Sequence, residues 1–339
     1  MLEIDCSFGE GGGQVIRTAV ALSILTNIPV HLYNIRAKRS NPGLREQHLK
    51  GILAAKELCN GKIKNAFLGS KEIWFYPGER LNSYIKVKIA TAGSVGLVLQ
   101  TLLLSCLKAE KEIDIEIEGG ATYGKFAPSI HYLQKVLLPL LAKIGYNVEI
   151  NVEKQGFYPK GGAKVLVKVL PVKKLNKLDL IEKGKLTGVN ILSIASENLK
   201  IRNVAERQAE KAKEILKEYN PHIKIEYVNT LCPGSGILCF ANFENTVLGF
   251  DSVGEIRKKA EDVGKESAIG LKREIESKAT LDIFASDQIL PYLAFAKGSF
   301  LVRELSLHAK TNIEVIRKFL DVDFKIERVG EHTTILAVK

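Results

Sequence analysis

Phe8-Gly9-Glu10-Gly11-Gly12-Gly13-Gln14-Val15-Ile16-Arg17 places four glycines around one carboxylate and passes at once into a helix-like segment carrying Gln14 and Arg17. Glycine permits positive φ and close approach of the backbone to a ligand. A helix N-terminus offers unpaired N–H groups to an anion. Glu10 repels a phosphate unless a divalent cation lies between them. The block therefore reads as a cradle for phosphate plus metal, and equally as a tight strand-to-helix turn with no ligand. It lacks the Gly-Lys-Ser/Thr of a P-loop and the spaced glycines of a dinucleotide fold.

That turn opens a pattern that recurs. A helix over 14–25, a strand over 30–35, a helix over 44–59 and strands over 66–68 and 72–76 make one unit. Strand 85–90, helix 94–107, strand 113–118, helix 128–144 and strands 146–154 and 163–169 make a second. Strand 280–285, helix 287–296, strand 299–305, helix 312–319 and strands 324–329 and 333–338 make a third. Two helices per unit cover one sheet face, which predicts an α/β or α+β fold built from repeats. Residues 185–277 differ in texture, being rich in Lys and Glu, with a strand over 190–195 and an amphipathic helix over 204–219 that Asn220-Pro221 stops. Strands over 224–230, 236–244 and 246–252 and a helix over 252–277 follow. They predict an inserted β/α domain, with 173–185 as the linker into it, and a larger domain made of 1–184 and 278–339.

The 339 residues are 46% hydrophobic and carry a net charge of +11, enough for a substantial core and suited to an anionic partner such as nucleic acid or a nucleotide. A Lys-rich solvated surface explains the charge as well. Five scattered cysteines with no CxxC argue against a disulfide frame or a zinc site. There is no basic-then-apolar leader, and the longest apolar run, 95–107, is too short to span a bilayer. The expectation is a soluble, cytoplasmic protein with no membrane partner.

Several residues can do chemistry. Arg36, Arg39, Gln47 and His48 lie in a basic segment that crosses Pro42 into a helix, suited to a polyphosphate or an RNA 3′ end, or simply to solvent. Gln100 is an amide inside an apolar helix and needs a partner, backbone or ligand. Phe126 and Pro128 either cap a helix or wall a purine slot. Phe284-Ala285-Ser286-Asp287-Gln288 falls where a strand meets a helix, with Asp287 serving as N-cap or as a contact to ribose. His308 lies where a strand ends and another helix begins. A lone histidine is most often structural, yet neutral imidazole can attack the α-phosphate of a nucleoside triphosphate. That chemistry needs a group to orient the ring, and the sequence names none.

Taken together, these blocks resemble the RNA 3′-terminal phosphate cyclase family. Gly-Glu-Gly-Gly-Gly-Gln stands at 9–14, Arg-Ala-x-Arg-x-x-Pro-Gly-Leu-x-x-Gln-His at 36–48 and Gly-Phe-Tyr-Pro-x-Gly-Gly at 156–162. Asp-Gln stands at 287–288 and His-x-x-Thr-Asn-Ile at 308–313. The resemblance implies three repeated units of two helices and a four-stranded sheet, with a thioredoxin-like insert. It implies ATP-dependent conversion of an RNA 3′-phosphate to a 2′,3′-cyclic phosphate through an AMP adduct on His308. Glu10 would hold Mg²⁺ or Mn²⁺, and Gln14, Arg17, Arg36, Arg39, Gln47 and His48 would surround the phosphates. Gln100, Pro128, Phe284, Ala285, Ser286, Asp287 and Gln288 would hold the nucleotide. The chain departs from the family pattern at Ala121-Thr122-Tyr123, at His131, at Phe284 in place of tyrosine and at Ala163 in place of glycine. A non-catalytic relative acting in RNA processing is the alternative, and the presence of His308 speaks against it.

Overall fold

The computed structural model describes every residue except Glu10, Glu331, His332 and Lys339. Strand β1 (Leu2–Asp5) leads through the glycine block into helix α1 (Gln14–Thr26), followed by β2 (Val30–Tyr33), α2 (Glu46–Leu58), β3 (Lys62–Lys64) and β4 (Ile73–Tyr76). Buried and half-buried residues alternate along β2 and β4, so one face of this sheet is covered. The strand order is β1-β2-β4-β3, with the first pair parallel and the others antiparallel.

Next come β5 (Tyr84–Ser94), α3 (Val95–Ser105) and β6 (Ile113–Ala121). A helical run then joins α4 (Ile130–Tyr132), a π turn (Leu133–Leu137) and α5 (Leu138–Lys143), before β7 (Val148–Lys154) and β8 (Lys164–Val169). The order β5-β6-β8-β7 repeats the first pattern of one parallel and two antiparallel pairs. After β9 (Leu178–Leu180) the chain forms β10 (Leu186–Ser196), α6 (Val204–Leu216), β11 (His222–Val228), β12 (Ser235–Phe243), β13 (Val247–Val253) and α7 (Ala260–Glu276). Their sheet runs β11-β10-β12-β13. Finally α8 (Ile283–Ala296), β14 (Gly298–Val302), α9 (Leu307–Phe319), β15 (Phe324–Gly330) and β16 (Thr333–Val338) complete a sheet of order β9-β14-β16-β15.

Several expectations change, among them the helix expected over 312–319, which begins at Leu307, and the strand expected over 299–305, which ends at Val302. Residues 280–285 are not a strand. Asp282 accepts hydrogen bonds from the N–H groups of Phe284 (3.0 Å) and Ala285 (2.8 Å) and starts α8 there, so Asp282 is the N-cap and Asp287 lies inside the helix. The first strand of that sheet is β9, parallel to β14, although it sits in the stretch read as a linker. The strand expected at 66–68 is β3, a few residues earlier, and Phe67 and Leu68 are exposed. The helix expected from residue 252 begins at Ala260, because β13 continues to Val253.

Helix α1 lies at the centre, packed on α2, α3 and α9. Val15, Ile16, Val20 and Leu22 are wholly buried there, and each contributes about 1.5–3 kcal/mol of hydrophobic stabilisation. Helices α6 and α7 cover one face of the β11-β10-β12-β13 sheet and close a second core around Ile191, Ala209, Ile237 and Leu271. Leu238 and Val247 of the same sheet belong instead to the large core, so that sheet is bound on both sides. Among the described residues no helix is long and apolar enough to cross a membrane.

Candidate active site

The glycine block folds back onto the start of α9. Gly9 has φ +58, and a Cβ there would lie 2.2 Å from Thr311 Oγ1, so the approach requires glycine. Gly13 precedes α1 with no side-chain cap, and the first turn of α1 contains no acidic residue. A Cβ on Gly13 would lie 2.0 Å from His48 Nε2, which brings the start of α2 beneath the same turn. Ser306 caps α9 by accepting from the Ala309 N–H at 2.9 Å, which sets His308 in the first turn.

Gln14, Arg17 and Thr18 share one face of α1, and each reaches another helix. Gln14 Nε2 donates to the backbone oxygen of His308 at 3.1 Å, and Gln14 Oε1 lies 2.5 Å from His308 Nδ1. The first bond orients the amide. Because Oε1 only accepts, Nδ1 carries the proton and the lone pair resides on Nε2. Arg17 Nε donates to Gln100 Oε1 at 3.1 Å, and Gln100 Nε2 donates to Gln288 Oε1 at 2.9 Å. Thr18 Oγ1 donates to Asn312 Oδ1 at 2.8 Å, and Asn312 Nδ2 donates to the Asp287 backbone oxygen at 2.7 Å. Burial pushes the Arg17 guanidinium down to about 10, with Asp287 acting the other way, so Arg17 stays cationic at neutral pH.

These residues line a cavity of about 420 Å³, within the range of small-molecule sites. It brings together Gln14, Arg17, Gln100, Pro128, Phe284, Asp287, Gln288 and His308 of the sequence-based set. Ala285 and Ser286 do not line it. Both are wholly buried, and Ser286 Oγ donates to the Ile283 backbone oxygen. Arg36, Arg39, Gln47 and His48 do not line it; Arg39 and His48 meet the glycine turn at Gly12 and Gly13, and the Gln47 backbone lies near Gly93. Arg36 Nη1 donates to the backbone oxygens of Asn41 (2.6 Å) and Gly43 (3.0 Å), holding its own loop. Arg39 sits against Gly12, 3.1 Å from where a Cβ would be. Burial, then Arg17, Arg36 and Arg45, hold the His48 pKa well below its usual value, so its ring is neutral, with Nδ1 accepting from the Arg45 N–H at 3.3 Å. Glu10 lies outside the described residues.

Sequence reasoning missed the wall that β13 supplies. The Phe250 and Phe284 rings lie 5.0 Å apart, and Tyr132 meets Phe284 edge-on at 6.3 Å. Asp251 also faces the cavity, accepts from the Ser129 N–H at 2.7 Å and has its pKa raised by burial. No periodicity links residues 250–251 to 284. Thr18 and Asn312 were also missed, although their spacing of four from Gln14 and His308 was a usable signal.

The model of the RNA 3′-terminal phosphate cyclase family matches residues 8–326. A protein of Thermococcus sibiricus named RNA 3′-terminal phosphate cyclase is 43% identical, covering 100% of this chain and 99% of its own. Proteins of the same name from Thermococcus onnurineus and Saccharolobus solfataricus are 45% and 41% identical, over 98% and 96% of this chain and 97% and 96% of their own. The solved enolpyruvyl transferase NikO from Streptomyces tendae is similar at 10% identity with a TM-score of 0.38, over 98% of this chain and 47% of that one, too slight a likeness to carry an argument.

Proposed function

The chain belongs to the RNA 3′-terminal phosphate cyclase family, and we propose that it uses ATP to turn an RNA 3′-phosphate into a 2′,3′-cyclic phosphate through an AMP adduct on His308. His308 Nε2 attacks the α-phosphorus, the bond to the β-phosphate oxygen breaks and pyrophosphate leaves. An oxygen of the RNA 3′-phosphate then displaces the imidazole, breaking the P–N bond. The neighbouring 2′-OH attacks the 3′-phosphorus, loses its proton and expels AMP.

The observation that carries this reading is the double hydrogen bond between Gln14 and His308, because it leaves the lone pair on the outer ring nitrogen. Arg17 and the N-termini of α1 and α9 suit the negative charge of the triphosphate. Phe284, Pro128, Gln100 and Gln288 suit an adenosine, and Arg36, Arg39, Gln47 and His48 the RNA end. Among the described residues no group of three or more His, Cys, Asp or Glu gathers to hold a metal. A Mg²⁺ or Mn²⁺ brought with ATP would be held chiefly by phosphate oxygens and water, with Glu10 as its carboxylate, and would neutralise phosphate charge.

We read 1–184 and 278–339 as one repeat-built domain and 185–277 as a smaller thioredoxin-like domain inserted into it. The shared strand order of three sheets and the separate core on α6 and α7 support that division. Five buried free cysteines fit the reducing cytoplasm.

The test is incubation with α-labelled ATP and Mg²⁺. The expected product is a protein–AMP adduct, stable to alkali and labile to acid, absent from a folded His308→Ala variant. Wild-type protein that takes up no label would overturn the reading and leave a non-catalytic RNA binder.

A further inference from the structure

A second, larger cleft of about 960 Å³ lies on the other side of the helical run 130–137. Tyr132, Leu133 and Leu137 face the candidate active site, whereas His131, Gln134 and Lys135 face this cleft. Its opposite rims are β7 and β11, each an edge strand of its sheet. Its chemistry is that of a polar polyanion site. The two carboxylates on it are already paired, Glu153 with Lys164 at 2.7 Å and Glu226 with Lys224 at 2.6 Å. Lys135 and Lys154 are exposed and make no ion pair among the described residues. Asn151, Asn190 and Asn229 present side-chain amides with no hydrogen bond among the described residues. Deeper in, Gln155 is 7% exposed and lies 3.5 Å from His131 Nε2 by one amide atom, while its other amide atom has no partner. An orphaned buried amide calls for a ligand or a water.

The cleft connects to the glycine turn through touching segments. A Cβ would lie 3.4 Å from Gln47 N if placed on Gly93, 2.7 Å from Gly93 O if on Gly120 and 2.8 Å from Gly120 O if on Gly161. Placed on Gly162, it would lie 2.4 Å from Leu231 Cδ1. Asn229, on the cleft, is two residues from Leu231. Arg45, Thr91, Tyr158 and Lys160 are exposed along this route, Tyr158 at 74%.

We propose that the cleft between β7 and the β10–β11 edge holds the RNA chain upstream of its 3′ end, a single strand that crosses the Tyr158–Lys160 loop to reach it. This rests on the reading of the chain as an enzyme of RNA ends, and it assigns the segment 185–277 one wall of the grip on the RNA body, opposite Lys135 and Lys154. Lysines neutralise backbone phosphates, side-chain amides meet base edges, and Tyr158 offers a stacking surface.

The test measures anisotropy of labelled 3′-phosphorylated RNAs of about three and about twelve nucleotides, the range of single-strand site sizes. The longer RNA is expected to bind wild type at least about tenfold tighter. In the doubly substituted Lys135→Gln/Lys154→Gln protein that advantage shrinks, and the slope of log K against log salt falls by about 1.4, or about 0.7 per lost phosphate contact. Tyr158→Ala weakens the longer RNA about tenfold. Binding of the short RNA and adenylation by ATP alone stay unchanged. Equal affinity for the two lengths, substituted proteins indistinguishable from wild type, or no RNA binding at all would overturn the proposal, as would a polypeptide strand competing for these edges in place of RNA. Failure to adenylate with the length effect intact would instead refute the chemistry on His308 and leave the cleft standing.

Discussion

At the residue scale the contact between Gln14 and His308 carries the chemistry proposed for this cavity. Residues 294 positions apart share two hydrogen bonds, one from the Gln14 amide to the His308 backbone oxygen and one between the side chains, which selects the ring tautomer. Gln14→Leu keeps a buried side chain of similar length but lets the ring turn. Adenylation should fall about 10²-fold, as misplacement of a reacting group does, with ATP affinity changed far less; equal rates in a single-turnover assay would refute the role. Gly13→Ala drives a methyl into His48. A loss of about 1–3 kcal/mol is expected from such overpacking, read as a lower denaturant midpoint at constant slope. The glycines and His308 stood out in the sequence because backbone freedom and an imidazole ring belong to single residues. The partner of His308 was not, because nothing near it in the chain supplies one.

At the element scale the join between the end of α7 and the α8–β14 segment is sensitive to pH. Glu274 near the end of α7 is 1% exposed. Burial, then repulsion from Asp282, raises its carboxyl to about 7, with Arg303 at 3.4 Å opposing. Lys183 holds the last carbonyls of the same helix, donating to the backbone oxygens of Ile275 (2.7 Å) and Ser277 (2.6 Å). A raised carboxyl favours the protonated form in the fold. Its contribution is complete below the unfolded value near 4.5 and is lost as pH rises through about 7. The shift is worth about 3 kcal/mol at most. Asp282, raised by burial to about 6, has the same sign. Glu274→Gln should therefore gain stability relative to wild type between about pH 5 and 8, measured as a widening Tm difference. A constant difference would show that Glu274 does not titrate in the fold. The apolar run at 280–285 suggested a strand, and only Asp282, turned back onto two N–H groups, makes it the start of a helix.

At the scale of the whole molecule the inserted segment is tied to the rest. Leu238 and Val247 of its sheet lie in the large core, and Phe250 walls the candidate active site against Phe284. Leu238→Ala should cost about 2–5 kcal/mol and shift one unfolding transition as a whole; two separated transitions in calorimetry would show that the segments fold independently. By itself the sequence determined most of the run of strands and helices and the glycine turn, and it offered 185–277 as an insert and His308 as a candidate nucleophile. Each of these follows from local geometry or from an apolar repeat within one element. Tertiary structure decided that Gln14 orients His308, that β9 joins β14 across the insert and that Phe250 closes the cavity. An apolar repeat reports which face of an element is buried, and it says nothing of which distant element covers that face.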